Sequence, residues 1–138
     1  MKLLTFQARR FWWKSHSKTL EDAPDRQVEE EVREAVVAFV HAESRDEDEA
    51  ARRRAFRHTL KHLKWLANKG SFRNVVLHSF THLGGDNADP SFAGRFLEEM
   101  EERLRATGYE VWRTPFGYFC EWELKVYGES MAKVWKQI

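Results

Sequence analysis

The chain has 138 residues, with 23 Lys and Arg against 22 Asp and Glu and a net charge of +1. That length fits one domain spanning 1–138, able to bury roughly two-thirds of its unfolded surface, and the charge balance excludes a nucleic-acid binder recruited by global charge alone. A lone cysteine, Cys120, excludes an internal disulfide and a Cys-built zinc site and fits a reducing cytoplasm.

Taken in order, Leu3–Gln7 predicts a first strand and Phe11–Lys14 a second, with a turn at Ala8–Arg10 between them. Met1–Phe6 is too short an apolar stretch for a signal peptide, and no apolar run approaches the ~20 residues of a membrane span. Glu21–Glu31 is acidic, contains Pro24 and predicts a solvated connection with at most a helical turn. Ala35–Ala42 is a nearly continuous, β-branched apolar run, the pattern of a central strand buried on both faces. Asp46–Lys69 predicts a helix, with acids crowding its start, Lys69 at its end and Gly70 as its cap. Phe56, Leu60, Leu63 and Ala67 share one of its faces, and Arg54, Lys61 and Trp65 lie roughly opposite.

Asn74–Ser79 predicts another strand, followed by Phe80-Thr81-His82-Leu83 and a loop at Gly84–Asn87. Asp89-Pro90 reads as the N-cap and first residue of a second helix, which turns Phe92, Phe96, Met100 and Leu104 inward and stops at Gly108. A hairpin-like pair follows, Glu110–Arg113 and Tyr118–Tyr127, and Ser130–Gln137 predicts a short closing helix. The order predicts an α/β fold: a mixed sheet with two long helices.

Five stretches can carry chemistry. Thr114-Pro115-Phe116-Gly117-Tyr118 is a kinked, aromatic entry to a strand; it suits a pocket floor or a plain Pro-Gly turn. His82 stands at a strand's C-terminal end, where ligands gather in α/β sheets, and can either move protons or cap the strand. His58 and His62 are four apart on a helix, but no acid or cysteine completes a metal set, so a bland helical pair is the reading there. Arg54, Arg57 and Lys61 belong to an acid-free basic run that reads either as phosphate contact or as a solvated face; Trp65 within it suits an interface or a stacked base. Cys120 reads as a buried structural thiol or a nucleophile.

Phe80-Thr81-His82-Leu83, Asp89-Pro90-Ser91, Gly108-Tyr109-Glu110-Val111 and Pro115-Phe116-Gly117-Tyr118, in this order and spacing, resemble the archaeal-type threonyl-tRNA synthetase editing domain. Val37-Ala38-Phe39 and Glu43 fit its central strand, and the likeness runs without gaps from Asn74 to the C-terminus. It implies the D-aminoacyl-tRNA deacylase-like fold, a homodimer, and hydrolysis by water of the ester joining a wrong amino acid, L-serine in that family, to the 3′-terminal adenosine of threonine tRNA. No metal or cofactor is implied.

Carried over residue by residue, the resemblance puts His82 at the ester or the water. Phe80, Thr81, Pro115, Phe116, Gly117, Tyr118, Phe119 and Cys120 shape the aminoacyl pocket and the place of the terminal adenosine. The family has Tyr-Lys where this chain has Phe119-Cys120, and a glutamate where it has Lys133, so Lys133 is expected to act with His82 as a relocated cation. The expected partners are tRNA, with Arg54, Arg57 and Lys61 on its backbone, a second copy of the chain, and a threonyl-tRNA synthetase. The expected setting is a freestanding cytoplasmic enzyme. The alternative is a catalytically impaired homologue that binds tRNA or a synthetase, the loss of the lysine at Cys120 being its motive.

Overall fold

The computed structural model describes residues 1–138 and contains β1 (Lys2–Lys18), β2 (Glu29–His41), a 3-10 turn (Ser44–Glu47), α1 (Glu49–Gly70), β3 (Asn74–Ser79), α2 (Pro90–Ala106), β4 (Glu110–Arg113), β5 (Tyr118–Val126), a second 3-10 turn (Ser130–Ala132) and β6 (Lys133–Gln137). One mixed sheet takes the strands in the order β4-β3-β2-β1-β5, with β6 also on β1. Strands β2, β3 and β4 run parallel, and β1 is antiparallel to β2, β5 and β6.

The expected turn at Ala8–Arg10 is absent, and the two expected strands are one. Arg9 and Glu34 face each other outside the pairing, and Glu34 takes φ +51°. This irregularity shifts the in–out alternation by one residue on both strands. Phe11 and Trp13 thereby join Ala8, and Val32 joins Ala35, in one buried cluster. The polar triplet at 8–10 resembles a turn locally, but partners on both sides of β1 hold it extended.

The expected hairpin of β4 and β5 is also absent. β4 pairs with β3, while β5 pairs with β1 at the other end of the sheet. Pro115 has no N–H for a hairpin ladder, and the Gly117 carbonyl is taken by the Thr19 and Leu20 amides at 2.7 and 3.3 Å. The segment between β4 and β5 is therefore a crossover. The expected closing helix is a 3-10 turn followed by β6, because β5 leaves residues 2–6 of β1 unpaired on that edge and β6 fills them. Its exposure alternates residue by residue, the strand period.

Both helices cover one face of the sheet. Val36, Ala38, Val40, Val75 and Leu77 meet Leu63, Leu66, Phe92, Phe96 and Met100 there; each buried Val, Leu, Phe or Met stabilises the fold by ~1.5–3 kcal/mol. The opposite face is curled around Phe11, Trp13, Val37, Phe39 and Val76. Helix α1 is capped by Asp48, whose side chain accepts from Ala51 N, and ends with Ser71, not Gly70, in the left-handed region at φ 57°. His62 is buried under β1, with Nε2 3.0 Å from the Thr5 hydroxyl. Burial and, secondarily, Lys136 lower its pKa to about 4.

Candidate active site

The end of β3 is fixed from beneath. Phe80 N–H donates to the Val40 carbonyl, prolonging the β2–β3 pairing by one residue. Buried His41 then anchors the following loop: its Nδ1 accepts from Leu83 N–H at 3.1 Å, so Nε2–H donates to the Asp86 carbonyl at 2.7 Å. Asp86 in turn accepts from Ser44 N and Oγ. The loop delivers the chain to α2, where Asp89 caps by accepting from Ser91 N at 2.8 Å and Pro90 opens the helix.

The crossover 114–117 closes the other side. Gly117 has φ +82°, and a Cβ there would sit 3.0 Å from Ala23 Cβ and 3.3 Å from Leu20 Cδ1. Only glycine meets both conditions. Tyr118 points its hydroxyl at the 20–26 connection, donating to the Pro24 carbonyl at 2.7 Å and accepting from Arg26 N at 3.0 Å.

Between these parts lies a cavity of about 410 Å³, within the size range of small-ligand sites. His82, Phe80, Thr81, Pro115, Phe116, Gly117, Tyr118, Phe119 and Cys120 all line it. His82 is exposed at its rim, with the Phe80 ring 5.3 Å away edge-on. The amides of Thr81, His82, Phe116 and Gly117 donate to nothing within the chain. Four free N–H groups beside one cavity can polarise a carbonyl oxygen or hold an oxyanion. Burial raises the Cys120 pKa, which keeps the thiol neutral.

Lys133 is not brought to this cavity. It opens β6 opposite Phe6, with Nζ 3.4 Å from the Gly128 carbonyl. Its expected place beside His82 came from the resemblance, which sets it at a glutamate position of the family; in this chain residues 133–137 form a strand on β1. Arg54, Arg57 and Lys61 are exposed on α1, also apart from the cavity. Lys61 borders a separate cleft with His58, His62, Trp65, Trp135 and Lys136. No three His, Cys, Asp or Glu side chains gather as a metal-ligand group. Sequence reasoning missed His41, and it missed His78 on the cavity wall and its pairing with Thr114. The available signal was a histidine interrupting each of two strongly apolar strands.

The whole chain, residues 1–138, matches the family model of the Archaea-specific editing domain of threonyl-tRNA synthetase. The chain belongs to that family. It is 29% identical to a threonine–tRNA ligase of Staphylothermus marinus over 100% of its own length and 22% of the relative's. It is 31% identical to one of Pyrobaculum calidifontis over 97% and 22%, and 30% identical to one of Thermococcus onnurineus over 88% and 19%. The chain thus spans about a fifth of the length of these curated relatives. Among solved structures, it is similar to one titled c-Myc DNA unwinding element binding protein, with a TM-score of 0.62 and 12% identity over 100% of this chain and 99% of that one. The fold of this editing-domain chain is accordingly D-aminoacyl-tRNA deacylase-like.

Proposed function

We propose that the chain is an aminoacyl-tRNA deacylase that hydrolyses the ester of serine wrongly attached to threonine tRNA, acting in trans on tRNA charged by a separate synthetase. The observation that carries this reading is the convergence of His82 and the Pro115–Tyr118 segment on one cavity edged by unused backbone amides. The free N–H groups hold the ester carbonyl oxygen as it gains charge. His82 at the rim orients the attacking water and takes part in moving its proton. Water adds to the carbonyl carbon, the bond to the ribose oxygen breaks, and that oxygen leaves with a proton. Nothing in these steps calls on Lys133.

Single-turnover deacylation of serylated threonine tRNA tests this. The expected result is turnover by the chain alone, a fall of about 10²-fold or more in His82→Ala, and a Lys133→Ala rate near that of the parent. A second reading is favoured by Phe119 and Cys120, whose side chains offer no charge where the family has a lysine. It is a tRNA-binding module without chemistry. Undiminished tRNA binding with no turnover on any mischarged or D-aminoacyl tRNA would replace the first reading by the second.

The tRNA surface proposed here is the exposed side of α1 with Arg54, Arg57 and Lys61. His58 on the same helix has its pKa lowered by desolvation and then by Arg57, Arg54, Lys136 and Lys61, which marks a locally positive field. Exposed Trp65 and Trp135 beside it suit base stacking.

A further inference from the structure

Of the residues lining the cavity, His78 and Thr114 are the buried polar ones. His78 Nδ1 lies 2.8 Å from the Thr114 hydroxyl. Neither group has another hydrogen-bond partner within the chain, and Nε2 is left for the cavity. Two tautomers are conceivable. If Nδ1–H donated to threonine, the hydroxyl proton would have no acceptor in a buried place, which costs ~1–3 kcal/mol. If threonine donates to Nδ1, both are satisfied and the ring proton sits on Nε2. Burial lowers the His78 pKa to about 4, so the ring is neutral near pH 7 and carries that one proton.

The ring is also held in place. It packs 4.8 Å from Phe39 and 6.0 Å from Phe80, and Phe80 reaches His82 at the rim. The floor-to-rim order is therefore His78, Phe80, His82. A cavity of about 410 Å³ admits an amino acid but not a tRNA end with its stem. The ester thus stays near the rim with His82, and the aminoacyl side chain is the part that reaches the floor. The α-ammonium group is itself a donor and cannot pair with Nε2–H; a side-chain hydroxyl can accept from it.

Resting on the deacylase reading, we propose that His78, oriented by Thr114, is a specificity-determining residue whose Nε2–H donates to the side-chain hydroxyl of the bound aminoacyl group. Without that hydroxyl a buried donor is left unpaired, so an aminoacyl group of similar size lacking it is disfavoured.

The test compares seryl and alanyl esters on the same threonine tRNA. It also compares binding of the non-hydrolysable 3′-serylamido- and 3′-alanylamido-adenosines by calorimetry. The expected preference for the seryl form is about 10–10²-fold in kcat/KM and in affinity. His78→Phe keeps a ring and removes the donor; it should abolish the preference by lowering the seryl value and, with no buried donor left unpaired, raising the alanyl one. His78→Gln, which can still donate, should restore part of the preference. Long-range 1H–15N spectra should show the His78 proton on Nε2 in the parent and a mixed tautomer in Thr114→Val, a readout that a purely structural role would not move. A seryl preference that survives in folded His78→Phe overturns the proposal, as does a parent that binds the two adenosines equally. Absence of turnover with a His78-dependent binding preference would sink the deacylase reading and leave this one standing. Turnover of both esters at equal rate would do the reverse.

Discussion

Gly117 shows how much of the cavity depends on one missing methyl group. Its φ of +82° is strained for any L side chain, and a Cβ 3.0 Å from Ala23 Cβ would force that neighbour to give way by a few tenths of an ångström. Gly117→Ala should therefore destabilise by ~1–3 kcal/mol, a fall in melting temperature on the order of 4–12 °C for a chain of this size. It should also lower deacylation, since the Thr19 and Leu20 amides hold the Gly117 carbonyl in place. Gly85 is the control: a Cβ there meets nothing within 4 Å. Thermal melts of Gly117→Ala and Gly85→Ala should separate clearly, and equal melts would show that the crossover yields without strain. Tyr118 makes a related point: its hydroxyl is committed to the 24–26 backbone, so the residue serves the cavity through its ring and through the connection it holds.

At the scale of elements, the start of β1 is tied to the turn that precedes α1 by buried charge. The Met1 ammonium contacts Glu43 at 2.7 Å and Asp46 at 2.8 Å, and Lys2 also pairs with Glu43. Burial on its own raises the Glu43 pKa; hydrogen bonds from Lys2 and the ammonium outweigh it and bring it from 4.5 to about 2. The sign of the linkage follows from that direction. The folded form binds this proton less readily than the unfolded one, so the stabilisation is complete above pH 4.5 and disappears as pH falls toward 2. Its size is on the order of 3 kcal/mol. Urea unfolding should show stability dropping through this window in the parent, and Glu43→Gln should be less stable at pH 7 with a flatter acid limb. An identical acid limb in the variant would mean that other carboxylates carry the transition.

For the whole molecule, balanced composition hides an uneven surface. A net charge of +1 coexists with an α1 face where Arg54, Arg57 and Lys61 act on His58 in the same direction. Replacing Arg54, Arg57 and Lys61 together by Ala should weaken tRNA binding and reduce its log–log salt slope by ~2–3 units. An unchanged slope would show that the face is merely solvated. The sheet face away from the helices leaves Trp122 41% exposed beside half-buried Leu4, Phe6 and Leu124. We propose that a second copy of the chain covers it. Light scattering at micromolar concentration should then give twice the chain mass, and Trp122→Glu should give the monomer. Phe11 and Trp13 contribute nothing to such a surface: both are fully buried within the chain, and Trp12 donates its indole N–H to Glu29.

The sequence by itself determined the pieces whose signals are local. Helix α2 was legible from Asp89-Pro90 and the spacing of Phe92, Phe96, Met100 and Leu104; β2 and β3 were legible from β-branched runs; the wall of the cavity was legible from Pro115–Tyr118 and Phe80–His82. Tertiary structure decided what depends on distant partners. Arg9 continues a strand because β2 and β5 flank it, and residues 133–137 are extended because the β1 edge was open. Lys133 stands where its strand partner Phe6 holds it, apart from the cavity. The His78–Thr114 pair joins residues 36 positions apart. Hydrogen bonds between β-strands satisfy backbone groups far apart in sequence, so no local pattern announces them, whereas a helix closes its own within four residues.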